Sequence, residues 1–199
     1  MDLDNAALSI GQSPALIVVD AIKGFTDPNC ALGHDCDRAM VHINRLIDAF
    51  HTRRAPVALT TVVYDDPSQA SVFRRKLPAL NLLERAEIWH EFDPRLHRKD
   101  TDLIIEKHWA SAFHQTTLDA EFKQHGVDSI VVTGFTTSGC VRATAVDGLQ
   151  NNYPVLVAQD ACSDRNPAAH EANLFDLRAK YTDVVSTDEI LGKLSVSNS

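Results

Sequence analysis

Six runs along the chain are apolar with little interruption by charge, and between them hydrophobic residues return at helical spacing. The runs are ALIVVD (15–20), PVALTTVV (56–63), DLIIEK (102–107), SIVVTG (129–134), PVLVAQD (154–160) and DVVS (183–186). Strands that are apolar on both faces belong to parallel sheets covered on both sides. Between the first two runs, Met40, Val41, Ile43, Leu46, Ile47 and Phe50 form one helical stripe, with Asp35 and Asp37 before it as candidate caps. Further helices are predicted from about Thr117 to His125, closed by Gly126, and over about 140–151, 168–181 and 187–194. Strand and helix alternate on short connections. This predicts a three-layer α/β/α domain around a six-stranded, mostly parallel sheet. The exception is 64–100, which carries Pro67, Pro78 and Pro94; a connection of this length predicts a functional loop, a lid or a subunit contact.

Composition narrows the class. The 199 residues show no repeat, low-complexity tract or linker, so 1–199 reads as one domain. With 44% hydrophobic and 23% charged residues, the chain has the make-up of a soluble globular protein. A formal charge of −8 would repel a phosphate backbone, which argues against nucleic acid as a partner. The stretch MDLDNAALSIGQSPALIVVD has no basic region, and its longest apolar run is five residues. It reads as neither a secretory signal nor a membrane span, so a cytoplasmic location is expected. The four cysteines, at 30, 36, 140 and 162, form no C-x2-C pair and no zinc spacing. Free thiols in a reducing compartment are the simplest reading, with one available for chemistry.

Ligands of open α/β sheets bind outside the carboxyl ends of the strands, so polar residues at those ends attract attention. Asp20 closes the first run, Lys107 closes DLIIEK, and Cys140 follows SIVVTG in the stretch VVTGFTTSGCVRATAVDGLQ. The spacing Gly134-x-x-x-x-Gly139 matches half of a phosphate-binding loop, but Cys140 and Val141 stand where Lys and Ser or Thr are required. A cysteine phosphatase needs an arginine six residues beyond its cysteine, and that position is Val146. Both phosphoryl readings fail. The stretch instead predicts a strand–turn–helix elbow, whose free N–H groups and helix dipole favour a thiolate and lower the Cys140 pKa. The bland alternatives are a buried core cysteine, a turn-capping Asp20 and a solvated Lys107. Emergence on one rim raises all three together, because a nucleophile needs a base and a developing oxyanion needs a cation.

The stretches LIVVDAIKGF, IIEKHWASAF and VVTGFTTSGCV resemble those of the isochorismatase-like cysteine hydrolases, over about residues 14 to 194. The longer strings GFTDP, TSGCVRATAVDGLQ, DRNPAAHEANLFDL and KYTDVVS are similar to the branch that hydrolyses N-carbamoylsarcosine or maleamate. The resemblance implies a catalytic triad of Asp20, Lys107 and Cys140, and a non-proline cis peptide between Phe135 and Thr136. It further implies an oxyanion hole from the Thr136 and Cys140 N–H groups, and Arg165 as the ligand of a substrate carboxylate. A salt bridge from Arg165 to Asp164 or Glu171 is the alternative. Phe25 and Trp109, which stand in matching strings, are candidates for lining the substrate site.

Family members acting on nicotinamide hold a metal with histidines near the second strand. TTVVYDDPSQASVF has no histidine, and the nine histidines show no HxH or HxxxH spacing, so neither a metal nor another cofactor is expected. His170 is read as belonging to a helix start or its packing rather than to catalysis. The common DMQNDF string is DAIKGF here, which leaves Asp20 in place. The implied partner is a small carboxylated amide or ureide, and the branch implies a homo-oligomer, a tetramer. Two rival readings stand beside this one: vinyl-ether hydrolysis of isochorismate, which needs no thiol, and a non-catalytic binding protein of the same fold.

Overall fold

The computed structural model describes residue 4 and residues 6–196. Strands β1 (Pro14–Val19), β2 (Val57–Val62), β3 (Leu103–Lys107), β4 (Ser129–Phe135), β5 (Val155–Ser163) and β6 (Asp183–Val185) form one sheet in the order β3-β2-β1-β4-β5-β6. All the pairings are parallel. The helices are α1 (Lys23–Thr26), α2 (Asp37–Arg53), α3 (Ser71–Lys76), α4 (Leu118–Gln124), α5 (Arg142–Gln150), α6 (Pro167–Lys180) and α7 (Thr187–Val196).

Because side chains alternate across a strand, β1 feeds two cores. Leu16 and Val18 join Ile43, Ile47 and Phe50 of α2 and Ile190 of α7 on one face. Ala15, Ile17 and Val19 join Phe122 of α4, Ala145 of α5 and Leu177 of α6 on the other. Each large apolar side chain so buried contributes about 1.5–3 kcal/mol. That double coverage is why the central strands are apolar throughout. Val41 departs from the predicted stripe and is 60% exposed. It follows Met40 directly, and one helical residue turns the side chain by about 100°. The start of α2 also differs in detail. Its N-cap position falls on Cys36, and Asp35 Oδ1 accepts the Asp37 N–H at 3.1 Å.

The segment 64–100 is more ordered than expected. It holds α3 and two 3-10 turns, Pro78–Leu83 and Ile88–His90, and it buries Leu80 and Leu83 in the core. Arg74 is buried within it, 4.6 Å from the centre of the Tyr64 ring, and donates to Glu84 Oε1 at 2.6 Å. Both α3 and α1 escaped the sequence pattern because helices of six and four residues show too little of a 3.6-residue period.

β1 lies between β2 and β4, so chain connections leave it in opposite directions and open a crevice at its carboxyl end. Closure there depends on Gly134, which sits at φ 109°; a Cβ on it would lie 2.0 Å from the Val19 carbonyl oxygen. Gly134→Ala therefore combines a forbidden backbone angle with a backbone collision. It is expected to cost more than about 2 kcal/mol, read as a loss of thermal stability in a melting experiment. An unchanged melting temperature would contradict this packing.

Candidate active site

Asp20 is the first residue past β1 and takes a left-handed conformation, φ 49°, which aspartate tolerates better than most side chains. Its carboxylate is fully buried. Thr60, in the adjacent β2, accepts the Asp20 N–H at 3.0 Å and donates its hydroxyl to Asp20 Oδ1 at 2.6 Å. Lys107, at the end of β3, donates from Nζ to Asp20 Oδ2 at 2.8 Å and to the Trp109 carbonyl at 3.0 Å. Neither side chain of this ion pair is exposed. Burial opposes the lysine charge, but Asp20 and Cys140 beside it outweigh that and hold its pKa above the ordinary lysine value.

Cys140 lies on a short π-helical turn, Thr137–Val141, which precedes α5. The turn closes on one carbonyl, that of Thr136, which accepts the N–H groups of Gly139 at 3.0 Å and Val141 at 3.2 Å. The Phe135–Thr136 peptide bond is cis. Two outer groups grip the turn. Asp164 Oδ2 accepts both the N–H and the hydroxyl of Ser138, at 2.8 and 2.7 Å, and the Thr137 hydroxyl hydrogen-bonds His170 Nδ1 at 2.8 Å. His170 thus supports the turn from α6, in keeping with a packing role. Burial works against the charge of Asp164, but the hydrogen bonds from Ser138 hold its carboxyl below the usual carboxylate range.

The thiol of Cys140 lies close enough to Asp20 and Lys107 for both to act on its pKa, and the residue is 8% exposed. Acid, amine and thiol from the ends of β1, β3 and β4 therefore meet, and Cys140 is the least buried residue of the three. Its pKa differs from the expectation. Burial pushes it up to about 12; Lys107 works the other way, and Asp20 adds to the rise. The sequence pattern had weighed the helix dipole but could not weigh the loss of water around the sulfur. The resting thiol is neutral, and a buried carboxylate stands next to it as a proton acceptor.

Arg165 is exposed, two residues past the Ser163 that pairs with Phe135. It makes no ion pair with Asp164 or Glu171 among the described residues; it donates instead to the Leu32 carbonyl. Trp109 is half-buried and stacks on Phe73 of α3, with its Nε1–H donated to Gln115 Oε1 at 3.1 Å. Phe25 is 4% exposed and belongs to the core cluster of α2, so little of it faces solvent. Two close neighbours escaped the sequence reading. Thr60 is one of a pair of threonines in an otherwise apolar strand, a polar interruption that is its signal in the sequence. Tyr64, just past β2, is buried and donates to the His108 carbonyl at 3.1 Å; burial, then Cys140, raises its pKa.

Among the described residues no three His, Cys, Asp or Glu side chains form a group that could hold a metal. A surface cavity of about 730 Å³ is lined by Lys23, Asp27, Asp35, Trp89 and Arg95, but none of the triad faces it. Volume does not locate the chemistry here; the buried ion pair beside the thiol does.

The isochorismatase domain family matches residues 14–189. Maleamate amidohydrolase of Pseudomonas putida is 29% identical over 94% of this chain and 89% of its own length. N-carbamoylsarcosine amidase of an Arthrobacter species is 30% identical over 92% of this chain and 72% of its own. A cysteine hydrolase structure from Pseudomonas syringae superimposes with a TM-score of 0.91, covering 98% of this chain and all of the other at 24% identity. With a family match running through nearly every strand and helix of the sheet, the chain belongs to the isochorismatase family.

Proposed function

We propose that this protein is a cysteine-dependent amidohydrolase. It cleaves the C–N bond of a small amide or ureide that also carries a carboxylate, and it releases ammonia. The reading rests on one observation above all: a cysteine, Cys140, set beside a fully buried Asp20–Lys107 pair. A non-catalytic protein has no need of a desolvated ion pair, and vinyl-ether hydrolysis has no need of the thiol.

Asp20 takes the proton of Cys140 as the sulfur attacks the substrate carbonyl. The N–H groups of Thr136 and Cys140 receive the oxyanion. Collapse of the tetrahedral intermediate breaks the C–N bond, and Asp20 returns its proton to the leaving nitrogen as ammonia. Water, deprotonated by Asp20, then attacks the acyl-enzyme and frees the thiol. Lys107 orients Asp20 and balances its charge throughout. No step calls for a metal or other cofactor.

Arg165 supplies the recognition of the carboxylate: its fork keeps N–H groups beyond the one given to Leu32, and an acidic protein needs a local cation to attract an anion. Trp109, whose carbonyl accepts from Lys107 Nζ, lines the approach, and Phe25 backs it from the core. Hydrolysis of an N-carbamoyl amino acid is the first assignment, in which ammonia leaves and the resulting carbamate loses carbon dioxide. Maleamate-type hydrolysis is the second, and the similarity to a maleamate amidohydrolase over most of both chains supports it. We further infer a homo-oligomer, a tetramer, for which the exposed Val72, Leu77 and Ile88 of the 64–100 excursion offer an apolar surface.

Cys140→Ala is expected to abolish ammonia release while its circular dichroism stays that of wild type, and mass spectrometry of wild type with a slow substrate is expected to show an adduct on Cys140. Turnover by the alanine variant would sink the covalent mechanism. Thr60→Val keeps the shape of β2 but removes the hydroxyl that aims Asp20, so kcat is expected to fall by roughly tenfold or more. A variant as fast as wild type would show that Lys107 alone positions the carboxylate. Arg165→Met is expected to lower kcat/KM by roughly two orders of magnitude for a carboxylated amide and far less for a neutral amide of similar size. Equal losses on both would make Arg165 structural.

A further inference from the structure

Three consecutive residues at and beyond the end of β5 reach in different directions. Ser163 Oγ lies 2.7 Å from His34 Nε2, Asp164 holds the Ser138 N–H and hydroxyl, and Arg165 donates to the Leu32 carbonyl. Ser163 and Arg165 therefore staple the same strap, residues 27–36, which joins α1 to α2. The strap is itself a chain of tight turns. Cys30 N–H donates to the Asp27 carbonyl at 3.0 Å, and Gly33 N–H to the Cys30 carbonyl at 2.9 Å. His34 also places its ring edge-on to Phe135, with centroids 5.8 Å apart at 80°. That phenylalanine leads directly into the turn carrying Cys140. His34 thus touches the strand leading into the nucleophile turn and the residue two before Arg165, and its Nδ1 is buried without a hydrogen-bond partner.

We propose that His34 is a positioning residue for substrate recognition: neutral, it docks the strap on Ser163 and Phe135 and so fixes Arg165, through Leu32, to receive a carboxylate; protonated, it releases both. The proposal rests on the reading of Arg165 given above and adds a residue that decides when Arg165 is in place. A protonated imidazole would carry a second cation beside the Arg165 guanidinium and a buried Nδ1–H with no acceptor. Asp164 and Asp35 are the acids near it, and Asp164 is already committed to Ser138 and to the Asn166 N–H. Burial first, and Arg165 second, lower the His34 pKa below its ordinary value despite those two carboxylates. The sign follows from linkage. A group whose pKa is lowered by docking favours the docked state fully above its undocked pKa, and that contribution is lost as pH falls through about 6.5 and below. Affinity for a carboxylate is therefore lost on the acid side.

Isothermal titration with N-acetylglycine, whose carboxylate stays ionised across the range, tests this without relying on turnover. The proteins are wild type, His34→Gln, His34→Ala and Arg165→Met, each at about pH 8 and about pH 5.5. Wild type is expected to bind roughly tenfold more weakly at the lower pH. His34→Gln keeps a partner for Ser163 but cannot titrate, so its affinity is expected to be near wild type at high pH and nearly independent of pH. His34→Ala is expected to bind several-fold more weakly at both. With a carboxylated amide as substrate the same variants should move KM and leave kcat within about threefold. Binding that needs Arg165 yet weakens with acid equally in wild type and His34→Gln overturns the role of His34 and leaves Arg165 standing. Absent binding, or binding unchanged in Arg165→Met, overturns the carboxylate reading and this inference together.

Discussion

The rest of the site depends on two opposite charges that have no access to water, Asp20 and Lys107. Removing such ions from solvent costs several kcal/mol each, and replacing the pair by apolar residues is often neutral or stabilising. Its presence therefore needs a reason other than folding. The pair also constrains the sheet, because β2 stands between the strands that carry its members. Only a long side chain can cross that strand, and only a small polar one beneath it can complete the carboxylate. Lysine at 107 and threonine at 60 meet those two demands.

The cysteine turn is built on the same economy of groups. One carbonyl, that of Thr136, anchors two N–H groups, while Asp164 and His170 hold the hydroxyls of Ser138 and Thr137 from outside. The turn is thereby fixed by groups other than the Cys140 thiol. The thiol is left beside Asp20 and Lys107, with Tyr64 also near, and burial pushes its pKa up. This differs from a thiolate poised by a helix dipole alone. In the mechanism we propose, nucleophile and base act as a unit, with the attacking sulfur and the departing ammonia exchanging one proton through one carboxylate.

The strap over 27–36 lies between Arg165, the proposed carboxylate ligand, and the strand that leads into the cysteine turn. Residues 163–165 touch the strap twice and the nucleophile turn once, so a movement of either reaches the other through three adjacent residues. Arg165 is held by a backbone carbonyl, while the neighbouring Asp164 feels its charge without a direct ion pair.

The sequence by itself determined the alternation of strand and helix, because burial on both faces demands uninterrupted apolar runs and that pattern is local. It also determined Asp20, Lys107 and Cys140 as the polar residues at strand ends, and the resemblance of the surrounding strings tied them together. The short helices α1 and α3 were not legible, since a single turn has no period to detect. Neither was the role of Thr60, whose meaning appears only when β1 and β3 flank it. Only the tertiary structure decided the strand order, the commitment of Arg165 to Leu32 instead of Asp164 or Glu171, and the raised pKa of Cys140. All three follow from which groups, far apart in the chain, exclude water from one another, and no local pattern of residues encodes that.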